Sequence, residues 1–209
     1  MLSPHTPGPF QTLQPLILAS ASPRRQQFLT DLGLSFSVKT ANIIEQILPG
    51  EPPPQFVRRM AQEKAQVIAD QNPGTWVIGA DTVVVCQDSI LGKPAGPKEA
   101  FVMLKKLAGV SHQVWTGFAI MHKASGAVWT GAVETEVVFA DLPDDAITAY
   151  IKTGEPLDKA GAYGIQGIGG FMVASINGSY SNVVGLPLVE VIKELIALKI
   201  ISPRVDHVG

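Results

Sequence analysis

Short apolar runs alternate along the chain with segments whose apolar residues repeat at helical spacing. The clearest run predicts a long strand from Trp76 to Cys86, and the longest helical pattern covers Gln55 to Gln71. Further strands are predicted at 16–19, 35–39, 114–121, 128–139 and 171–176, with a short return strand ending near 94. Further helices are predicted at 23–32, 97–108, 143–152 and 187–198. Because helices and strands interleave while several strand pairs are hairpins, we predict an α/β fold with a mixed twisted sheet and flanking helices.

The pattern of predicted elements also divides the chain into a domain and two terminal segments. Residues 16–200 are predicted to form a single domain, because the interleaved elements continue through them and the length is sufficient to bury a substantial core. The proline-containing residues 1–15 are predicted to be a flexible N-terminal extension, and residues 201–209 a tail. Asn177-Gly178 is typical of a tight hairpin turn. No apolar run reaches the roughly 18 residues of a membrane-crossing helix, and the start lacks the pattern of a signal peptide.

Composition narrows the function. The chain is 46% hydrophobic and 16% charged with a net charge of -2, so it lacks the basic field that holds a nucleic-acid backbone. We therefore expect neither a nucleic acid nor a membrane as partner, and any recognition of phosphate should be local. Cys86 is the only cysteine, which excludes an internal disulfide and favours a reducing, cytoplasmic location. Its place after an apolar run predicts a small buried side chain.

One junction between a strand and a helix is unusually basic. Ser22 is the predicted N-cap, Pro23 the first helical residue, and Arg24 and Arg25 fall in the first turn. Cations there are unfavourable by up to about 1 kcal/mol each, because a helix N-terminus carries partial positive charge. The free N–H groups and both guanidinium groups would suit a bound phosphate chain. Alternatively, both arginines point into water or pair with acids elsewhere.

Two charged residues interrupt apolar patterns. Lys64 lies between Met60 and Ile68 on the apolar stripe of its helix, so it must reach water, pair with Glu63 or another acid, or face a cleft that holds an anion. Asp81 interrupts the long strand, where it is either a hydrogen-bonded structural carboxylate or a functional one. A functional carboxylate there could bind a divalent cation or accept a proton from an attacking water.

A glycine-rich segment follows at 159–170, and it either approaches a ligand closely or forms a flexible connection. Gln166 within it could hydrogen-bond the edge of a nucleobase. Lys93 adds a cation and Glu45 an acid, although neither is informative alone. Together, several cations, one or two acids and a glycine-rich loop in a chain poor in charge fit a polyphosphate bound with a metal.

These motifs in this order resemble the Maf family of nucleotide pyrophosphatases over residues 16–196. The matching segments are Ser20-x-Ser22-Pro23-Arg24-Arg25, Glu63-Lys64-Ala65, Gly79-Ala80-Asp81-Thr82, Gly92-Lys93-Pro94, 155–170, Asn177-Gly178-Ser179-Tyr180 and Val184-Gly185-Leu186-Pro187-Leu188. The resemblance implies an elongated fold related to the inosine-triphosphate pyrophosphatases, with two lobes around a central cleft. It implies hydrolysis between the α and β phosphates of a nucleoside triphosphate with a divalent cation, Mg²⁺ or Mn²⁺, and a homodimer.

The resemblance also implies residue roles. Asp81 corresponds to the proton acceptor and, together with Glu45, to the metal ligands, although the acids usual just before Glu45 are absent from 41–44. The residues corresponding to the substrate-binding set are Ser22, Arg24, Arg25, Lys64, Thr82, Lys93 and Gln166.

Three of these positions separate branches of the family. Arg24, Thr82 and Gln166 resemble the branch that hydrolyses dTTP and UTP, whereas the 7-methyl-GTP branch has Trp, Gln and Glu at the corresponding positions. We therefore expect nucleotide-pool housecleaning by dTTP and UTP hydrolysis. The alternatives are a pyrophosphatase for purine or modified nucleotides, a phosphatase that releases orthophosphate, and a nucleotide-binding regulator of cell division with weak or no catalysis.

Overall fold

The computed structural model describes residues 8–205 and contains a mixed sheet with helices on both faces, as the sequence predicts. The strands are β1 Phe10–Thr12, β2 Leu16–Leu18, β3 Ser37–Val38, β4 Trp76–Cys86, β5 Ser89–Leu91, β6 Ser111–His122, β7 Ala127–Phe139, β8 Val173–Asn177 and β9 Ile201–Pro203. The helices are α1 Pro23–Asp31, α2 Pro53–Gln71, α3 Pro97–Leu107, α4 Asp144–Lys152, α5 Tyr180–Val184 and α6 Leu188–Ala197. Short 3₁₀ turns lie at Lys123–Ser125, Glu155–Asp158, Ala160–Ala162 and Ile168–Met172.

The main sheet has the order β3-β2-β4-β6-β7-β8, with β5 also paired to β4. Strand β2 runs parallel to both β3 and β4, and every other pair in this sheet is antiparallel. The β6–β7 hairpin pairs continuously from Ser111 opposite Val138 to His122 opposite Ala127. The connections through α1 and α2 give the two parallel pairs of β2, whereas β4–β5 and β6–β7 are hairpins, so the sheet contains both strand directions.

Strand β4 is paired continuously along one edge and interrupted along the other. Residues 77–85 pair with β6, whereas the opposite edge pairs with β2 only at 76–78 and with β5 only at 84–86. Residues 79–83 therefore face a gap between β2 and β5. Asp81 and Thr82 lie in this gap, and their side chains point to opposite faces of the sheet because side chains alternate along a strand.

Helix α2 covers one face of the sheet and approaches it closely. Its buried residues pack against β4 and β6 in the clusters around Ala61 and Met60. The approach depends on glycine in both strands. A Cβ at Gly79 would lie 2.2 Å from the Ala61 carbonyl oxygen, and one at Gly117 would lie 2.2 Å from the Val57 carbonyl oxygen.

The other face carries two separate cores. The β2-side core contains Ile78 and Ala80 of β4, packed with residues of β2, α1 and α6. The β5-side core contains Val84 and Cys86 of β4, packed with residues of α3 and α4. Thr82 lies between the two cores, so the gap in the edge of β4 is also the boundary between them. Cys86 is 1% exposed, which confirms the small buried side chain that the sequence predicts.

The structure differs from the sequence prediction near both ends. Strand β1 pairs antiparallel with β9, and Phe10 packs against the β2-side core, so residues 10–12 and 201–203 join the fold instead of forming an extension and a tail. Two three-residue strands so distant in sequence give no local pattern that could predict their pairing. Residues 1–7 of the predicted extension and 206–209 of the predicted tail lie outside the described residues.

The hairpin predicted at Asn177-Gly178 is wrong. These residues connect β8 to α5, where Gly178 has φ +133° and packs against Thr135. Ser179 then caps α5 by accepting a hydrogen bond from the Asn182 backbone N–H at 3.3 Å. An Asn-Gly pair supplies the backbone freedom for either connection, so the pair alone does not select the hairpin. Among residues 8–205, no helix combines the length and apolar character needed to cross a bilayer.

Candidate active site

A cleft of about 720 Å³ opens where the edge of β4 is interrupted. All nine site residues predicted from the sequence line it: Ser22, Arg24, Arg25, Glu45, Lys64, Asp81, Thr82, Lys93 and Gln166. The ionisable residues of its lining also include Lys159 and Asp158, so five cations face three carboxylates. The cleft is therefore locally positive in a chain whose net charge is -2. Such a surface suits an anionic ligand.

Lys64 joins the two predicted acids at one side of the cleft. Its Nζ atom lies 2.6 Å from Asp81 Oδ1 and 2.6 Å from Glu45 Oε1. The Lys64 and Asp81 side chains are only 14% and 8% exposed, so each charge needs the other. Glu63, a partner considered from the sequence, instead pairs with Arg59. Lys64 thus combines two of the predicted alternatives, because it pairs with acids and also faces the cleft.

The loop that carries Glu45 is tied to α2. Arg59 donates to both carboxylate oxygens of Glu51 at 2.6 Å and to the Gln46 carbonyl oxygen at 2.9 Å. Such a forked pair has both energy and directional specificity. The hydrogen bond to the Gln46 carbonyl fixes the residue next to Glu45. The Glu45 carboxylate is thereby held close to Lys64.

The pKa of Glu45 reflects the cations of the cleft. Burial raises the pKa of this carboxyl, but the hydrogen bond and charge of Lys64 and the charges of Lys93 and Arg25 lower it further than burial raises it. The net pKa is below the ordinary value, so Glu45 stays ionised at neutral pH.

Asp81 and Glu45 offer carboxylate oxygens to a hard divalent cation. Both are already bridged by one cation, the Lys64 ammonium group, which shows that the two carboxylates are close enough to share a positive charge. Within residues 8–205, no group of three or more His, Cys, Asp or Glu side chains is arranged as a metal site. The donor set fits a Mg²⁺-type ion that takes one or two carboxylates and completes its coordination with water and substrate phosphate oxygens.

Arg25 turns toward the gap in β4 rather than into the water of the cleft. Its Nε donates to the Gly185 carbonyl oxygen at 2.6 Å, and Nη1 donates to the Ala80 carbonyl oxygen at 2.8 Å and to Ser20 Oγ at 3.1 Å. Its Nη2 donates to Thr82 Oγ1 at 3.0 Å. Burial lowers the pKa of this guanidinium, while the charge of Asp81 opposes that shift. Arg25 thus gives the cleft a fixed charge while most of its N–H groups bind protein oxygens.

Arg24 is held much more loosely. Its Nη1 lies 3.8 Å from Asp158 Oδ2, and the side chain is 27% exposed. Asp158 has a closer partner in Lys159, whose Nζ lies 2.6 Å away. Ser22 occupies the N-cap position of α1, which confirms the sequence prediction, although its side chain makes no capping hydrogen bond. Ser22 also lines the cleft, so its hydroxyl is not used by the helix.

Thr82 is fixed by a chain of hydrogen bonds that joins four elements, α1, β4, β6 and α5. Its Oγ1 accepts from Arg25 Nη2 and shares a 3.0 Å hydrogen bond with Thr116 Oγ1. Thr116 in turn donates to the Asn182 carbonyl oxygen at 2.9 Å. Thr116 and Asn182 are fully buried, and sequence reasoning missed both because a single polar residue in a strand or a short helix has no distinguishing pattern.

Lys93 and Gln166 lie on the β5 side of the cleft, on the loop after β5 and in the glycine-rich segment. Both are exposed, as expected for side chains that meet a ligand instead of the core. Tyr163 and Lys159 also line this side, and their positions within the glycine-rich segment are the only sequence signal that could have identified them.

Known proteins match this chain over nearly its whole length. The family described as Maf-like protein matches residues 15–198. A protein of Geobacter metallireducens named dTTP/UTP pyrophosphatase is 52% identical over 180 residues, covering 86% of this chain and 94% of the relative. One of Desulfotalea psychrophila with the same name is 50% identical over 189 residues, covering 90% and 97%. Another of Anaeromyxobacter dehalogenans is 50% identical over 177 residues, covering 84% and 89%. The chain, with its motifs gathered around one cationic cleft, belongs to the Maf family.

Proposed function

We propose that this protein hydrolyses dTTP and UTP to the nucleoside monophosphate and pyrophosphate, as a housecleaning enzyme of the nucleotide pool. The observation that carries the proposal is the Lys64–Asp81 pair at the gap of β4, where a buried carboxylate faces a cleft lined by five cations. A site for binding alone would gain nothing from a carboxylate that repels phosphate. The names of relatives with about half of their residues identical also support this activity.

The cations of the cleft hold the triphosphate. Lys93 and Arg24 are exposed enough to bind phosphate oxygens directly, and Ser22 adds a hydroxyl and the N-terminus of α1 adds N–H groups. Arg25 supports the same anion by charge, because four of its N–H donations already go to protein atoms. These fixed charges stabilise the negative charge that develops on the leaving pyrophosphate.

Asp81 acts as the proton acceptor. A water attacks the α-phosphorus in line, the bond from that phosphorus to the bridging oxygen breaks, and the proton of the water passes to Asp81. Lys64 donates to Oδ1 of Asp81 and so fixes the orientation of the carboxylate. Asp81 and Glu45 would hold a divalent cation, which would neutralise part of the triphosphate charge and polarise the scissile bond.

Arg24, Thr82 and Gln166 determine base selectivity in this proposal. Arg24 and Gln166 present free polar groups to the cleft, whereas Thr82 acts from a fixed position between the two cores. A hydrogen-bonding site discriminates strongly against a base that leaves its polar groups unpaired. We therefore expect the site to favour the pyrimidine bases of dTTP and UTP over the purine base of GTP.

We further propose a cytoplasmic location and a homodimer. The single buried cysteine is compatible with a reducing compartment, and the dimer rests on the resemblance alone. Light scattering after size-exclusion chromatography should give twice the chain mass of 22.2 kDa, and a monomer at micromolar concentration would contradict the dimer.

The test of the function is product analysis on dTTP, UTP, GTP and 7-methyl-GTP, with Mg²⁺ or Mn²⁺ and with a chelator. We expect pyrophosphate and monophosphate in equal amounts from dTTP and UTP, little from the other two, and none with the chelator. Orthophosphate as the first product would contradict the reaction. Thermal stabilisation by nucleotide without any turnover would contradict the enzyme and favour a binding regulator.

A further inference from the structure

The glycine-rich segment is organised around one carboxylate, that of Glu155. Its Oε1 accepts from the Gly169 N–H at 3.0 Å and from the Tyr150 hydroxyl at 2.9 Å. Its Oε2 accepts from the Ile168 N–H at 2.8 Å. Two successive backbone N–H groups that converge on one anion form an anion-binding turn. Here the anion belongs to the chain itself, so the turn is stabilised without a ligand.

The glycines of the segment provide the space for this carboxylate. A Cβ at Gly167 would lie 2.5 Å from Glu155 Oε2, and one at Gly164 would lie 3.3 Å from Glu155 Oε1. The Gly167 N–H also donates to the Gly164 carbonyl oxygen at 3.3 Å, which closes a turn over residues 164–167. Gln166 lies inside that turn and reaches the cleft.

Tyr150 supports the same turn from the β5-side core. Its ring is 2% exposed and packs in the β5-side core. Its hydroxyl donates to Glu155 and accepts from the Gly164 N–H at 3.2 Å. The turn that carries Gln166 is therefore tied at Gly164 to Tyr150 of the β5-side core and at Gly169 to the Glu155 carboxylate.

We propose that Glu155 is a positioning residue for nucleobase selection, which fixes the turn carrying Gln166 at the wall of the cleft. This inference rests on the proposed function, because it requires Gln166 to meet the base. Glu155 itself does not touch the nucleotide. Its carboxylate holds the backbone on either side of Gln166, and so sets both the reach of the amide and the width of the cleft available to a base.

The structure also shows why a carboxylate suits this position. Burial raises the pKa of Glu155, but the N–H groups of Gly169 and Ile168, the Tyr150 hydroxyl and the charge of Lys159 together lower it below the ordinary value. The group is thus an acceptor on both oxygens at neutral pH. In Glu155→Gln, one of the two oxygens becomes an amide nitrogen that cannot accept from a backbone N–H.

The experiment measures kcat/KM for UTP and for GTP in wild type, Glu155→Gln, Gln166→Ala and the double variant. We expect the UTP-to-GTP ratio to fall at least tenfold in Glu155→Gln, or about 1.4 kcal/mol. The ratio in the double variant should equal that of Gln166→Ala, because Glu155 acts through Gln166. Tyr150→Phe, which keeps the packed ring and removes only the oxygen, should lower the ratio in the same direction.

The control is Glu136→Gln, an exposed carboxylate on β7 that accepts a hydrogen bond from Ser111 Oγ, and it should keep the wild-type ratio. A ratio unchanged in Glu155→Gln and Tyr150→Phe but lost in Gln166→Ala would overturn this inference alone. Additive losses in the double variant would do the same, because they assign Glu155 a role separate from Gln166. A wild type that does not discriminate UTP from GTP would instead contradict the selectivity in the proposed function.

Discussion

At the scale of single residues, the cleft uses charged side chains in two ways. Lys64, Asp81 and Arg25 are partly or wholly buried and tied to protein partners at 2.6–3.1 Å. Arg24, by contrast, has only a 3.8 Å contact with Asp158. The first group shapes the site before a ligand arrives, which reduces reorganisation during reaction. The second has side-chain freedom left to respond to the ligand.

Asp81→Asn tests the first group at its centre. The variant keeps the shape of the side chain and one oxygen for Lys64, but it removes the group that we propose as proton acceptor. We expect kcat for UTP to fall at least about 100-fold, the lower end of the contribution of general base catalysis. Nucleotide-induced thermal stabilisation should remain within a few degrees of that of wild type.

Asp88→Asn is the matched control, because Asp88 lies just beyond the end of the same strand, is exposed and lies outside the cleft lining. It should retain wild-type kcat. Near-normal turnover in Asp81→Asn would mean that another group accepts the proton.

The two neighbouring arginines should separate stability from binding. Arg25→Met leaves the Ala80 and Gly185 carbonyl oxygens without a charged donor, so we expect a loss of about 2–4 kcal/mol in the free energy of unfolding. Arg24→Met removes only a long surface ion pair, so the loss should stay below about 1 kcal/mol, while KM for UTP rises. Urea denaturation and steady-state kinetics on both variants measure the contrast. Equal destabilisation by the two substitutions would contradict the different roles.

At the scale of elements, the interrupted edge of β4 and the close approach of α2 together create the Lys64–Asp81 pair. The gap exposes Asp81 to the cleft, and α2 brings Lys64 across the same face of the sheet. Gly79, two residues before Asp81, is the contact point, because Ala61 of α2 lies directly over it. The geometry of the Lys64–Asp81 pair therefore depends on a contact between backbones as much as on the charged groups.

Gly79→Ala tests this dependence. The added methyl would meet the Ala61 carbonyl oxygen at 2.2 Å, so α2 must move away from β4. Overpacking of this kind lowers stability by about 1–3 kcal/mol. We expect kcat for UTP to fall more than tenfold, because the 2.6 Å Lys64–Asp81 hydrogen bond has to lengthen. Unfolding monitored by urea and kinetics at a temperature where the variant is fully folded separate the two effects.

Gly74→Ala is the control, because a Cβ there meets nothing within 4 Å and the position has no positive φ. It should leave both stability and kcat near those of wild type. Full activity in a destabilised Gly79→Ala would show that the position of α2 does not matter for the chemistry.

The sequence predicts these elements unevenly, for physical reasons. Strand β4 is apolar on both faces, so the sequence predicts it with the bounds Trp76–Cys86 that the structure has. Helix α2 is predicted as clearly, because its apolar residues form a stripe along one face. Lys64 and Asp81 were found because each breaks an apolar pattern. Glu45, Thr82 and Lys93 break no pattern and were found only through the resemblance. Arg25 shows the limit, because its donation to Ala80 and Gly185 depends on chain segments far apart in sequence. The β1–β9 pair was out of reach for the same reason.

At the scale of the whole molecule, one sheet supports two cores on the same face, and the cleft follows their boundary. The β2 side contributes α1 with Ser22, Arg24 and Arg25, and the β5 side contributes Lys93 and Gln166. The proposed site residues thus come from both sides of one boundary. The stability of each core therefore bears on the activity of the site between them.

The β5-side core contains a buried histidine that should make the stability of the molecule depend on pH. His112 is 3% exposed, and its Nε2 lies 2.9 Å from the Tyr163 hydroxyl. Burial lowers the pKa of His112 to about 4. Below pH 6.5 the unfolded chain binds a proton at His112 that the folded protein does not, so the free energy of unfolding falls as pH falls from 6.5 toward 4.

Between pH 6.5 and 5 the loss should be about 1.5 kcal/mol, measured by urea denaturation at half-unit steps. This window isolates His112 from carboxyls with a lowered pKa, such as Glu155, because their stabilisation is lost only as pH falls below about 4.5. His112→Gln should abolish most of the slope in this window, whereas His122→Gln, at the partly exposed end of the same strand, should keep it. If the dependence of the unfolding free energy on pH survives in His112→Gln, it does not come from His112. The folded protein would then protonate this histidine as readily as the unfolded chain does, and the β5-side core would be more accessible to water than its packing indicates.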